Sequence, residues 1–155
     1  MKHTVIRYAL MGAFFLGFTA PNVAQEKKSQ FNHVARSVYD LQKSASFYEH
    51  VMQLDTIPEP FKIGKHKWFE IGPGLSLHLI NDATEITEHP RNTHICFSVT
   101  SMEETIARLN EFGVVYYNVQ LEAGKVGTRV DGIKQIYIQD PDGYWIEIND
   151  EQMEW

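Results

Sequence analysis

Cysteine is almost absent from this chain: Cys96 is the only one in 155 residues, so no internal disulfide can form. An exported fold built on such a sequence is held by its core, a metal or an oligomer interface. Basic residues are also few, with 14 Lys and Arg against 20 Asp and Glu, giving a formal net charge of −6. Nucleic acid and anionic membrane are therefore not expected partners. Beyond residue 24 there is no apolar run long enough to span a bilayer, no coiled-coil heptad pattern and no low-complexity segment. Gly124-Lys125-Val126-Gly127 lacks the spacing of a phosphate-binding loop and reads as a flexible loop, one placed to close over a site.

What is present begins with an address. Lys2 and Arg7 precede or flank an uncharged, mostly apolar run from Tyr8 to Thr19, and small residues follow at Ala20 and Ala24. This is the pattern of a signal peptide over residues 1–24, cut near Ala24 because Pro21 disfavours cleavage after Ala20. Its removal takes away two positive charges and leaves the mature chain at −8. The mature protein is expected in the periplasm or secreted, without stable membrane insertion. Residues 25–30 read as a polar tether, and residues 31–155 as a single domain.

That domain repeats itself. Asn32-His33-Val34-Ala35-Arg36-Ser37-Val38 and Thr93-His94-Ile95-Cys96-Phe97-Ser98-Val99 match at an offset of 61 residues. The same offset maps Leu41, Ala45, Tyr48 and Val51 onto Met102, Ile106, Leu109 and Phe112, which share the spacing of an amphipathic helix. Asp40 and Ser101 are placed as N-caps, Ser101 with Glu104 as a capping box, and Gly113 as a stop. Each half continues into strands with period-two alternation: Trp68 to Ile71 and Leu75 to Ile80 around a Gly72-Pro73-Gly74 turn, then Val114 to Val119, Ile133 to Gln139 and Tyr144 to Asn149. The fold class is α+β, strand, helix and three strands repeated, with module one at about 31–82 and module two at about 92–150. Two such units pair to bury what neither buries alone.

Alternation separates two faces on each strand. Leu75, Leu77 and Leu79 share one, and His78 points from the other; Ile95, Phe97 and Val99 oppose His94; Ile146 and Ile148 oppose Glu147. A lone strand histidine is usually a hydrogen-bonded structural residue. Three histidines and a glutamate at repeat-related places, His33, His78, His94 and Glu147, are not explained by core packing. Imidazole and carboxylate are the donors that zinc, nickel, manganese or iron accept, and rigid strands hold them in fixed geometry. One divalent metal per site is the expected cofactor. Other polar side chains carry weaker expectations. Cys96 faces the cleft or packs as an inert thiol, and Trp145 walls the site or simply packs. Arg36, Arg129, Tyr117 and Tyr137 are candidates to recognise a polar substrate group, and His50, His66 and His89 read as surface residues.

The openings around His33 and His94, with the ending Asp140-Pro141-Asp142-Gly143-Tyr144-Trp145-Ile146-Glu147-Ile148, resemble the vicinal oxygen chelate superfamily. That superfamily includes glyoxalase I, extradiol dioxygenases and the fosfomycin and bleomycin resistance proteins. The resemblance implies paired βαβββ modules forming a cupped, incompletely closed mixed sheet around a metal, with His33, His94 and Glu147 as ligands. The remaining ligand position, usually glutamate in glyoxalase I, is His78 here. The implied activity is a glyoxalase-like lyase or isomerase acting on a small oxygen-chelating molecule through a metal-stabilised enediolate or enolate. Glu147 and His78 are then the acid/base candidates, with His78 alternatively a fourth ligand. A non-haem iron extradiol-type dioxygenase, with His33, His94 and Glu147 as its triad, uses the same residues, and a metal-free binding or resistance protein uses the same cup. An exported protein rarely meets glutathione hemithioacetals, so another small molecule is the expected substrate. A homodimer is expected, with the site either within one chain or shared between two.

Overall fold

The computed structural model describes residues 29–152. The leader read over residues 1–24, and the tether as far as residue 28, lie outside them. The described residues from Phe31 onward form one compact unit.

Each half runs strand, helix, three strands. In the first, β1 (His33–Ser37) leads into α1 (Leu41–Ser46), whose last turn widens into a π-helical turn at Phe47–Val51. There follow β2 (Thr56–Ile57), β3 (His66–Gly72) and β4 (Leu75–Ile80). The second half repeats the plan with β5 (Ile95–Ser98), α2 (Met102–Glu111), β6 (Gly127–Thr128), β7 (Lys134–Gln139) and β8 (Trp145–Asn149). The strands form two four-stranded sheets, ordered β1-β4-β3-β2 and β5-β8-β7-β6, neither closed into a barrel. In each the first strand lies parallel to the fourth and the others are antiparallel, so both sheets are mixed. The fold is the α+β pair of βαβββ modules that the repeat implies.

Local chemistry explains the helix ends. The Asp40 carboxylate accepts from the N–H groups of Gln42 and Lys43, and the Ser101 hydroxyl accepts from Glu104 N, supplying first-turn donors with partners. On α1 the expected face, Leu41, Ala45, Tyr48 and Val51, is buried. On α2, Met102 and Leu109 are buried, but Phe112 is 49% exposed. The helix ends at Glu111 and the chain turns at Gly113 in the left-handed region, φ +67°, which carries Phe112 off the apolar stripe.

One expected strand is missing. Val114 to Val119 contributes only isolated bridges of Tyr117, one to Tyr137 through two backbone hydrogen bonds of 2.9 and 2.8 Å and one to Ala123. The Asn118 side chain then accepts from Gln120 N and Glu122 N, Leu121 sits at φ +63°, and the chain turns away. The strand paired to β7 is instead the two-residue β6.

The apolar faces of both sheets meet in one core with the helices: Phe69, Leu77 and Leu79 from the first, Ile136, Ile138, Ile146 and Ile148 from the second, and Tyr48, Met102 and Leu109 from the helices. The opposite faces are therefore left for polar side chains. Where the modules join, the turn Asp140–Tyr144 is seated against α1. Asp142 accepts from Tyr39 N at 2.7 Å and from the Ser44 hydroxyl, and Asp140 accepts from Tyr48 O–H at 2.6 Å. Gly143, at φ +86°, lies so close to Thr87 that an added Cβ would stand 2.8 Å from the Thr87 carbonyl oxygen. The Tyr144 ring is sandwiched between His89, stacked at 3.7 Å, and the Arg36 guanidinium, 4.2 Å from its centre. Arg36, 4% exposed, thus belongs to the junction, and His89 is packed there and not a free surface residue. Among the described residues no helix is long and apolar enough to cross a membrane.

Candidate functional site

On the first sheet, parallel pairing sets His33 beside Ser76 and Ala35 beside His78, so His33 and His78 project from the same face one step apart. Their rings stack at 4.4 Å, 10° from parallel. Antiparallel pairing puts Trp68 directly opposite His78, and those rings stack at 3.8 Å and 2°. His33 Nδ1 lies 2.8 Å from the Asn32 side-chain oxygen, an acceptor, so Nδ1 carries the proton and Nε2 is left with its lone pair. His78 Nε2 is 2.8 Å from the Ser76 hydroxyl. Burial, reinforced by His33 and then His66, holds the His78 imidazole below its usual pKa, which favours the neutral ring.

On the second sheet Glu147 lies opposite Cys96 on β5 and Tyr137 on β7, and its carboxylate is nearly enclosed. His94, in the residue before β5, brings Nε2 to 3.2 Å from Glu147 Oε2. Its Nδ1 lies 2.7 Å from the Arg91 carbonyl oxygen, so Nδ1–H donates and Nε2 is the nitrogen turned to the carboxylate. Two acceptors at that distance need a proton or a cation between them. Tyr137 O–H donates to the same Oε2 at 2.8 Å, and its ring stands edge-on to His94 at 5.6 Å. Burial, then the Glu147 carboxylate, pushes the Tyr137 hydroxyl up to about 12, so it remains a donor at neutral pH. If the pair holds a cation, replacing Tyr137 with Phe, which removes that donor, is expected to lower metal affinity roughly 10–100-fold in a competitive chelator titration. Unchanged affinity would show that Tyr137 does not orient Glu147.

The four candidate ligands are thus assembled as two pairs, His33 with His78 on one sheet and His94 with Glu147 on the other. Among the described residues no three His, Cys, Asp or Glu side chains are grouped to hold a metal ion. A cavity of about 540 Å³ adjoins the second pair, walled by Phe97 and the β3–β4 turn and bordered by Cys96, Arg129 and Glu151. Cys96 is exposed and receives an Asn149 side-chain N–H at 3.2 Å. Although the residue is exposed, crowding around its sulfur, then the Glu147 carboxylate, pushes the thiol up to about 12, so it stays protonated and a poor nucleophile.

Trp68 was not singled out from the sequence, although alternation with His66 and Glu70 along β3 places it on the polar face. His66 is half-buried at the start of β3 and packs against Phe61 at 4.7 Å, contrary to its reading as a surface residue. Tyr117 packs edge-on against Trp145.

Comparison with known proteins agrees with this architecture. Residues 30–148 match the profile of the Glyoxalase/Bleomycin resistance protein/Dioxygenase superfamily. Among curated proteins, Glyoxylase I 4 of Arabidopsis thaliana is 29% identical over 126 residues, covering 77% of this chain and 70% of that one. The metallothiol transferase FosB of Shouchella clausii is 33% identical over 122 residues, covering 76% and 77%. Among solved structures, the oxidase ChaP-H2 superposes with a TM-score of 0.67 at 25% identity, covering 81% of this chain and 96% of that one. The chain belongs to the glyoxalase, bleomycin resistance and dioxygenase superfamily.

Proposed function

We propose that the protein is a divalent-metal enzyme of the lyase or isomerase type, exported, and acting on a small molecule with two adjacent oxygens. Its protein ligands are His33, His94 and Glu147, and each site takes the first-sheet pair from one copy of the chain and the second-sheet pair from another. The observation that carries this reading is the approach of His94 Nε2 to Glu147 Oε2 at 3.2 Å. The neighbouring groups suit a cation there: the Arg91 carbonyl fixes the His94 tautomer, and Tyr137 fixes the carboxylate. His33 offers a second Nε2 in the same tautomer.

His78 fits differently. An imidazole lone pair lies in the ring plane, and stacked rings 10° from parallel do not aim theirs at one point. Stacked between His33 and Trp68, with its pKa lowered by burial, His78 is suited to move a proton. A bound divalent cation would supply Lewis acidity toward the two substrate oxygens. His78 then accepts the proton from the carbon beside the carbonyl and returns it to the neighbouring position, with Ser76 holding its Nε2 edge. Glu147, kept in place by Tyr137, serves as ligand in this account. The three-ligand arrangement is also that of a 2-His-1-carboxylate iron site, which keeps the extradiol-type dioxygenase as a second reading.

The test is metal-dependent turnover of α-hydroxycarbonyl compounds with deuterium wash-in at the carbon beside the carbonyl. His78→Ala is expected to keep wild-type metal content and lose about 10²–10⁴-fold in turnover. A fall in metal content like that of His94→Ala would make His78 a fourth ligand instead. Oxygen consumption with catechols would shift the reaction to the dioxygenase.

A further inference from the structure

The cavity beside His94 and Glu147 is bordered by one guanidinium, that of Arg129. A free guanidinium there would select a carboxylate or phosphonate on the substrate. This one is already occupied on both terminal nitrogens. Its NH2 group meets Asp131 Oδ2 at 2.6 Å, and its NH1 group meets Glu151 Oε2 at 3.1 Å.

The two carboxylates reach it differently. Asp131 belongs to the same tight turn, closed by Gly132 N–H donating to the Arg129 carbonyl at 3.0 Å. Glu151 comes from the chain just past the end of β8. It extends the alternation of Glu147 and Asn149 past the end of β8, and its N–H donates to the Asn149 side-chain oxygen at 3.2 Å. Glu151 and Glu147 both border the cavity, and among the described residues the one Lys or Arg side chain that borders it with them is the doubly paired Arg129. The next guanidinium, Arg91, is also engaged: NH1 donates to the Val119 carbonyl at 2.6 Å, and the group lies over the Tyr137 ring at 5.1 Å. The acidic net charge of the chain, −6, acts against anions in the same direction.

We propose that Glu151 is the specificity-determining residue of this cavity: by occupying Arg129 it turns away carboxylates and phosphonates, so the substrate is an uncharged molecule bearing two adjacent oxygens. This rests on the metal-enzyme reading for the oxygens, but the charge selection stands on the Arg129 pairing alone. It separates the chain from enzymes that hold their substrate through an anionic group, on the strength of a single side chain near its C-terminus.

Inorganic phosphate is the probe, titrated by calorimetry into full-length protein treated with chelator, so that a resident cation takes no part. Wild-type protein is expected to bind phosphate too weakly to measure below millimolar concentrations, and Glu151→Ala to bind it at least about tenfold more tightly. The double variant Glu151→Ala/Arg129→Gln is expected to lose that gain. Wild-type binding as tight as that of Glu151→Ala would overturn the proposal, as would a gain that survives removal of Arg129. Failure of the metal-enzyme reading would show separately, as absence of cation from the untreated protein.

Discussion

Protein carrying His33→Ala and His78→Ala, co-expressed with protein carrying His94→Ala and Glu147→Ala, is expected to bind metal that neither binds alone. The two ligand pairs stand on separate sheets, and among the described residues no three metal-competent side chains are grouped. Joining them by refolding one chain would require parting the common core and the seated turn at the module junction. A second copy of the chain would join them without disturbing either. In a two-fold dimer each site then takes one sheet from each copy, so a mixed dimer has one site complete and one with neither pair. Random assortment makes half of the dimers mixed, and the recovered metal is expected at about a quarter of the wild-type content. No recovery from co-expressed, folded, dimeric protein would place each site within one chain.

Asp142→Ala is expected to have the largest effect on stability. Asp142 is 4% exposed and accepts from Tyr39 N and the Ser44 hydroxyl, both on the other module. Hydrogen bonds to a charged group contribute about 1.5–3 kcal/mol each, and removing the acceptor strands the buried Ser44 hydroxyl and the partly buried Tyr39 N–H. A loss of about 3 kcal/mol or more is expected, a fall of roughly 10 °C in Tm. Asp142 touches no candidate ligand, so protein held well below that Tm should keep its metal content. A Tm within about 2 °C of wild type would mean that the turn is not what ties the modules together.

The parts of this molecule legible in its sequence are those set by local periodicity. Leu75, Leu77 and Leu79 alternating with His78, and Ile146 and Ile148 alternating with Glu147, are enough to say which side chains leave the core. The 61-residue offset then aligns His33 with His94. What depends on register across strands was not legible: Trp68 stacks on His78 because β3 and β4 pair at those residues, and no spacing along the chain records that. The strand expected from Val114 to Val119 fails for a related reason. Its alternation is real, but the Asn118 side chain offers the backbone a turn that competes with the sheet. The turn from Asp140 to Gly143 reads correctly as a hairpin end, yet its carboxylates serve the junction with α1, a contact between residues about a hundred positions apart. The division of the ligands between two sheets likewise comes from how the modules pack, which the repeat alone leaves open.

If His94 and Glu147 hold a cation with His33, elemental analysis of protein expressed with its leader and purified without chelators will find it. About one zinc, nickel, manganese or iron per chain is predicted for the wild type, and a content near zero for Glu147→Ala. Wild-type protein free of metal, or a Glu147→Ala variant that retains it in full, would rule out this metal site and leave a metal-free binding role as the better description.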